Sequence, residues 1–401
     1  MTQSNNIIRM PKISTSVHSI CVFMIAVYMM LLPFEYVLTS EAGTLNKYIG
    51  VLIMGLCFIS GTFRIKFKVS NILIICFLIY GVMSGLWAIS TSYWSEVFFI
   101  YLKNAALFLV VAQCKFSKKQ NNLIMSFFVL GAVLLALYLM TSSNVTIDPF
   151  SGRTVISVNG GYFDPNYMAA DIIMPIGYMY GIFYENITKK KYMKSIFAVV
   201  VMLILFYIEI LSGSRGGLLA IAGMIFVITV LNMKNRAVRR KILFIALIAV
   251  VVLTVIMQML PEQILDRFSL ESLLGEKDSG GGRLELWDAA WSGIKDNFIF
   301  GYGAGCAVPA VGIYHGINRA SHSLYLSSVL EFGIFACLLY IPILSEIKKS
   351  YKNKQYMEVG MAFGILIASI FLDALSTKFF WAFLIILFTR NSNEGEDVKE
   401  N

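Results

Sequence analysis

The chain has 401 residues, of which 58% are hydrophobic and only 14% are charged. Soluble domains carry about 25% charged residues, so this composition excludes an ordinary water-soluble domain and makes lipid the solvent for most of the chain. The net charge of +9 would point to nucleic acid if it formed one patch, but the basic residues are spread between apolar runs, and no nucleic-acid partner is expected.

A spanning helix needs about 20 mainly apolar residues. Such runs fall near 17–38, 46–62, 71–89, 96–113, 122–140, 167–185, 195–212, 216–231, 242–259, 323–345, 357–372 and 376–389. The expected fold is therefore an all-α polytopic transmembrane bundle of about twelve spanning helices. The first run follows Arg9 and Lys12 but lacks a small-x-small cleavage site and continues to about Val37. It reads as a retained helix and not as a signal peptide.

With both termini in the cytoplasm, every second connection is basic. The inside segments hold Arg64, Lys66 and Lys68, then Lys115, Lys118 and Lys119, then Lys189 to Lys191 with Lys194. Lys234 to Lys241 and Lys348 to Lys354 continue the pattern, as the positive-inside rule requires. The organisation expected is helices 1–9 over 1–259, a large periplasmic loop over 260–321, helices 10–12 over 322–390, and a disordered cytoplasmic tail over 391–401. Within the long loop, Pro261 opens Glu262 to Phe268, and a first-turn proline suits a helix start. After Gly280 to Gly282, apolar residues at Leu284, Trp287, Trp291 and Ile294 follow a helical period. The six cysteines show no CxxC spacing, so neither a disulfide framework nor a zinc site is expected.

Ten basic residues fall outside the topological pattern: Lys47, Lys103, Arg153, Arg215, Arg267, Lys277, Arg283, Lys295, Arg319 and Lys378. Arg215 lies in Ser212-Gly-Ser-Arg-Gly-Gly217, at the outer junction of two apolar helices. Free N–H groups and the positive end of the next helix make this an anion site, although an arginine reaching lipid headgroups would look the same. Arg283 follows three glycines and opens the Leu284 to Ile294 helix. Its guanidinium suits bidentate phosphate binding; a solvated loop arginine is the plain alternative. His322 closes the long loop in Ser321-His-Ser-Leu-Tyr325, and imidazole suits a general base near neutral pH, although a lone histidine is more often a hydrogen-bonded structural group. Glu331, deeper on the same helix, needs a partner. Asp164-Pro165-Asn166 forms a turn on the same side. Gly301-Tyr302-Gly-Ala-Gly305 lacks the strand and the Lys-Ser/Thr ending of a phosphate loop. No ATP is available outside the membrane, so a reaction there must use an activated donor such as a lipid-linked diphosphate.

These residues resemble the bacterial O-antigen polymerase and O-antigen ligase superfamily of membrane glycosyltransferases. The resemblance is carried by Ser214-Arg215-Gly216, by Gly282-Arg283-Leu-Glu-Leu-Trp287 with Trp291 and Gly301-Tyr-Gly303, and by His322-Ser-Leu-Tyr325 with Glu331-Phe-Gly333. Asp164-Pro165-Asn166 is similar to the family's Pro-Asn turn. The resemblance implies a donor of undecaprenyl diphosphate carrying an oligosaccharide, an acceptor glycan, membrane lipid around the site, a chain-length regulator as a further partner, and no cofactor or metal. Arg215 and Arg283 would bind the pyrophosphate and stabilise it as it leaves. His322 would deprotonate or orient the acceptor hydroxyl, with Asn166, Tyr302, Arg319 and Tyr325 lining the substrate. Inversion at the anomeric carbon would follow. The departure is Gly333-Ile-Phe-Ala-Cys-Leu338, where ligases tend to continue into Gly-x-x-Gly-Thr-Gly. The function expected is thus a polysaccharide repeat-unit polymerase in the cytoplasmic membrane, with a ligase onto lipid A–core as the near alternative. A lipid-glycan transporter is the alternative of another class, suggested by Lys103, Asp171, Glu209 and Asp373 within or beside helices.

Overall fold

The computed structural model describes residues 15–40, 43–60, 63, 68–148, 153–158, 161–232 and 282–391. Its first helices are α1 (Thr15–Leu31), α2 (Leu45–Ile59), α3 (Val69–Met83), α4 (Thr91–Ala112) and α5 (Lys118–Thr141). They are followed by α6 (Pro165–Asp171), α7 (Ile173–Thr188), α8 (Tyr192–Ser212) and α9 (Arg215–Asn232). After the gap come α10 (Arg283–Asp296), α11 (Ala307–His315), α12 (Leu324–Phe332), α13 (Cys337–Lys352), α14 (Tyr356–Ala368) and α15 (Lys378–Asn391). Among the described residues, seven helical stretches are long and apolar enough to cross a membrane, and α2 and α14 are shorter apolar helices. The run expected at 242–259 and the Glu262 to Phe268 segment lie outside the described residues.

Two expected spans are broken, each for a local reason. The run at 167–185 divides into α6 and α7 at Ile172. Pro175 has no N–H for the Asp171 carbonyl and its ring crowds that group, so the helix cannot run through. The run at 323–345 breaks at Gly333, which holds φ +57° between α12 and a short 3-10 turn, Gly333–Ala336. That break releases backbone groups to the preceding loop. Tyr302 N donates to Leu330 O at 2.7 Å, Gly303 N to Glu331 O at 3.1 Å, and Ile334 N to Ile299 O at 3.3 Å. A side chain at Gly333 would strike the Ile299 backbone, so glycine is required by both its dihedral and its neighbours.

The long connection near 141–166 is not featureless. It carries β3 (Val145–Ile147), β4 (Thr154–Val158) and β5 (Gly161–Tyr162) as an antiparallel meander, and a shorter pair, β1 (Thr39–Ser40) with β2 (Gly43–Thr44), precedes α2. The β-branched residues of Thr154-Val-Ile-Ser-Val158 suit a pleated strand.

The chain divides into two compact units, one within 1–128, 283–353 and 369–401, the other within 129–282 and 354–368. In the first, α1 packs on α2, α2 on α4, α3 on α13, and α15 on both α4 and α13, while α10, α11 and α12 form a layer that packs on itself and meets α3 and α4. Leu286, Ala290, Ile294, Tyr302, Cys306, Val311 and Leu330 fill the core of that layer. In the second, α14 lies tightly on α9 and α7. Gly364 makes this possible, since a Cβ there would come within 3.0 Å of Ile173 and Met224. Small residues at helix crossings allow the close backbone approach on which membrane helices rely for packing.

Candidate functional site

The second unit builds a polar cluster where α8 turns into α9. Gly213 takes φ +58° and closes α8, so the chain reverses within Gly213 and Ser214 and α9 begins at Arg215. Ser214 Oγ caps the new helix by accepting the Gly217 N–H at 3.2 Å. The same hydroxyl donates to Asn166 Oδ1 at 3.0 Å. Asn166 lies in the first turn of α6, where Asp164 Oδ1 accepts its backbone N–H at 2.8 Å and its side-chain amide at 2.9 Å. The structure therefore brings Asn166 and the Arg215 turn together, with the Arg215 side chain half-buried.

Arg153, at the start of β4, ties the two turns. Its Nε donates to Ser212 O at 2.7 Å, its Nη2 to Asn166 Oδ1 at 2.8 Å, and its Nη1 stands 3.9 Å from Asp164. Sequence reasoning passed over this residue; the available signal was its place among the basic residues that topology leaves unassigned. Beneath the turn lies Glu209, fully buried and packed against Gly217, its carboxylate without a hydrogen-bond partner among the described residues. Arg153→Gln removes the guanidinium from two acceptors; Asn166 Oδ1 keeps the Ser214 hydroxyl, while Ser212 O loses its side-chain donor, and a buried group left unsatisfied costs about 1–3 kcal/mol. The expected result is an unfolding midpoint lowered by about 5 °C in detergent; an unchanged midpoint would remove the clamp role.

The first unit holds the other candidates. Arg283 is the first residue of α10 and half-buried. It follows Gly282, which has φ +76° and, among the described residues, no neighbour within 4 Å of where a Cβ would stand. One turn on, Trp287 donates its indole N–H to Ser321 O at 2.9 Å and stacks on Phe371 with ring centroids 6.3 Å apart. This bond joins the Arg283 helix to the segment before His322. His322 itself has φ +51°, a left-handed conformation that side chains other than glycine rarely take.

Serines and the α14–α15 connection brace that segment. Ser321 Oγ and Ser327 Oγ are 2.9 Å apart, and Ser327 Oγ donates to Asp373 Oδ2 at 3.0 Å. Leu324 N is shared between Ser369 O at 2.9 Å and Leu372 O at 2.8 Å. Burial pushes the Asp373 carboxyl up to about 6, against the opposing effect of the Ser327 hydrogen bond. Nothing in the local sequence marks Asp373 as a neighbour of a residue 46 positions away.

Of the remaining candidates, Tyr325 stacks on Tyr340 with centroids 5.7 Å apart. Tyr302 is largely buried, its hydroxyl 2.8 Å from that of Tyr314, which donates to Asp296 at 2.5 Å. The bond to Asp296, reinforced by Tyr302, holds the Tyr314 proton well beyond the usual phenol range. Arg319 is exposed in the segment after α11. His315 stands 3.9 Å from Glu285. Glu331 finds its partners in Tyr101 Oη at 3.1 Å and Ala307 N at 3.4 Å, which tie α12 to α4 and to the start of α11. Arg215 and Asn166 thus belong to one unit, and Arg283, Tyr302, Arg319, His322 and Tyr325 to the other. Among the described residues no group of three His, Cys, Asp or Glu stands in a metal-binding arrangement.

Apolar helices of spanning length, interrupted by polar turns that each open a helix with an arginine, define a polytopic helical membrane protein. Residues 197–341 match the O-antigen ligase family. The match covers just over a third of the chain, takes in Arg215, Arg283 and His322, and supports the superfamily of O-antigen ligases and polymerases. No curated protein matches the chain.

Proposed function

We propose that the protein is a polysaccharide repeat-unit polymerase, which transfers glycan from undecaprenyl diphosphate to an acceptor sugar hydroxyl at the outer face of the cytoplasmic membrane. The observation that carries this reading is that Arg215 and Arg283, both within the family match, are each the first residue of a helix. A diphosphate bound there meets free N–H groups, a dipole end and a guanidinium fork together.

In this reading the acceptor oxygen attacks the anomeric carbon from the face opposite the diphosphate and inverts it. The bond from that carbon to the phosphate oxygen breaks, and the electron pair leaves with the lipid diphosphate. Arg215 and Arg283 stabilise the charge that develops on it. His322 takes the hydroxyl proton and later releases it to water. Trp287 and the serines around Ser321 hold the segment that carries His322, and neither a metal nor a cofactor is needed.

The match to the O-antigen ligase family favours one second reading, ligation of finished glycan onto lipid A–core or another acceptor. It uses the same donor and the same residues and differs in the acceptor. Purified protein given one synthetic undecaprenyl-diphosphate repeat unit decides between them on a glycan gel. A ladder of whole repeats is the expected result. Transfer seen only when lipid A–core is added would make the enzyme a ligase, and no transfer by folded protein with matched donor would favour a transporter.

A further inference from the structure

Lys47, Lys103 and Lys378 belong to the ten basic residues that topology leaves without a role, and none lies in the sites described above. In the first unit they converge. On α2, a Cβ at Gly50 would meet Leu107 of α4 at 3.4 Å, so the two helices face each other there. One turn earlier on each places Asn46 and Lys47 level with Lys103. Lys378 opens α15, which packs on α4, and its Nζ donates to Thr44 Oγ1 at 2.7 Å and pairs with Glu35. Lys47 and Lys378 are both close enough to act electrostatically on Lys103. Glu35 balances Lys378, which leaves Lys47 and Lys103 as two like charges within electrostatic reach of each other.

Two further observations point to a ligand. Asn46 is 2% exposed, yet neither atom of its amide has a hydrogen-bond partner among the described residues. A buried amide left in this way costs free energy unless something binds it. Around the lysines the surface turns apolar at once: Phe99, over which Lys103 Nζ sits 5.0 Å from the ring centroid, is exposed, as are Tyr48, Val51 and Leu52 on α2. Cations bordered by an exposed apolar face suit a ligand with a charged head and a hydrocarbon tail.

We propose that Lys47, Lys103 and Lys378, with the Asn46 amide, form a binding site for the phosphate of a lipid head group, whose chains run along Phe99, Val51 and Leu52. The site is separate from the Arg215 and Arg283 positions and does not depend on the reading of those residues as catalytic. Either a membrane phospholipid or a polyprenyl phosphate offers the required chemistry.

The test is native mass spectrometry of the full-length protein released from detergent with phosphatidylglycerol, polyprenyl phosphate or phosphatidylcholine. The wild type should retain one phosphatidylglycerol or one polyprenyl phosphate in preference to phosphatidylcholine. Lys47→Gln with Lys103→Gln should lower that retention about tenfold or more, while Lys189→Gln with Lys190→Gln, two lysines beyond α7, should not. Lys103→Arg should keep it, and serves as the decisive variant if the double substitution does not fold. Retention of both lipids assigns the site to bulk anionic lipid, and retention of polyprenyl phosphate alone assigns it to donor or product lipid. Equal retention in the double variant, or no preference over phosphatidylcholine, would overturn the site. Displacement of the lipid by millimolar inorganic phosphate would overturn its assignment to a lipid.

Discussion

Arg283→Lys is expected to lower glycan transfer about a hundredfold while expression and helicity stay at wild-type levels, because loss of one preorganised charge-stabilising donor costs about that much. The substitution keeps the positive charge and the helix start. What it loses is the planar fork, whose two parallel N–H bonds fix a diphosphate in one orientation. The setting at α10 makes that loss matter. Arg283 is half-buried, follows a glycine in the left-handed conformation, and is tied through Trp287 to the residue before His322. A lysine would reach the anion as a point charge on a flexible stem and leave the leaving group free to turn. The measurement is the initial rate of transfer from a synthetic donor, with circular dichroism as the control for folding. Wild-type turnover would show that charge alone suffices and would remove the bidentate role.

Part of this architecture was legible because lipid leaves few choices, and among the described residues most of the apolar runs long enough to span are helical. The helix starts at Arg215 and Arg283 were equally legible, since glycines and a change of periodicity mark them locally. What stayed hidden depends on contacts between distant residues. Pro175 and Gly333 could be seen in the sequence, but that each divides a spanning run became clear only from the broken helices and, at Gly333, from the Ile299 to Gly303 segment that fills the break. The β3–β5 meander is too short for period-2 alternation to stand out from an ordinary loop. Arg153 and Asp373 have unremarkable neighbours in sequence. Their roles come from partners 59 and 46 positions away, Ser212 and Ser327.

His322 tests whether the polar loop does chemistry or only holds shape. At φ +51° the residue carries a backbone penalty of about 1–2 kcal/mol that glycine would not. Lys190 and Lys354 share this conformation in connections with no proposed chemistry, so the dihedral alone does not assign the imidazole a role, and substitution must. Two variants separate the roles. His322→Ala keeps most of the strain and loses the imidazole; His322→Gly loses both, and should be as stable as the wild type or slightly more so. Both should lower transfer by about 100-fold to 10,000-fold, the range for loss of a general base, while binding of the undecaprenyl-diphosphate donor stays within about twofold, since a base that acts on the acceptor contributes only at the transition state. Donor binding by calorimetry in nanodiscs and transfer rates on the same preparations give both readouts. If transfer falls together with donor binding, His322 is a structural part of the donor pocket. If His322→Gly transfers glycan at the wild-type rate, the imidazole takes no part in the reaction and the proton must leave by another group.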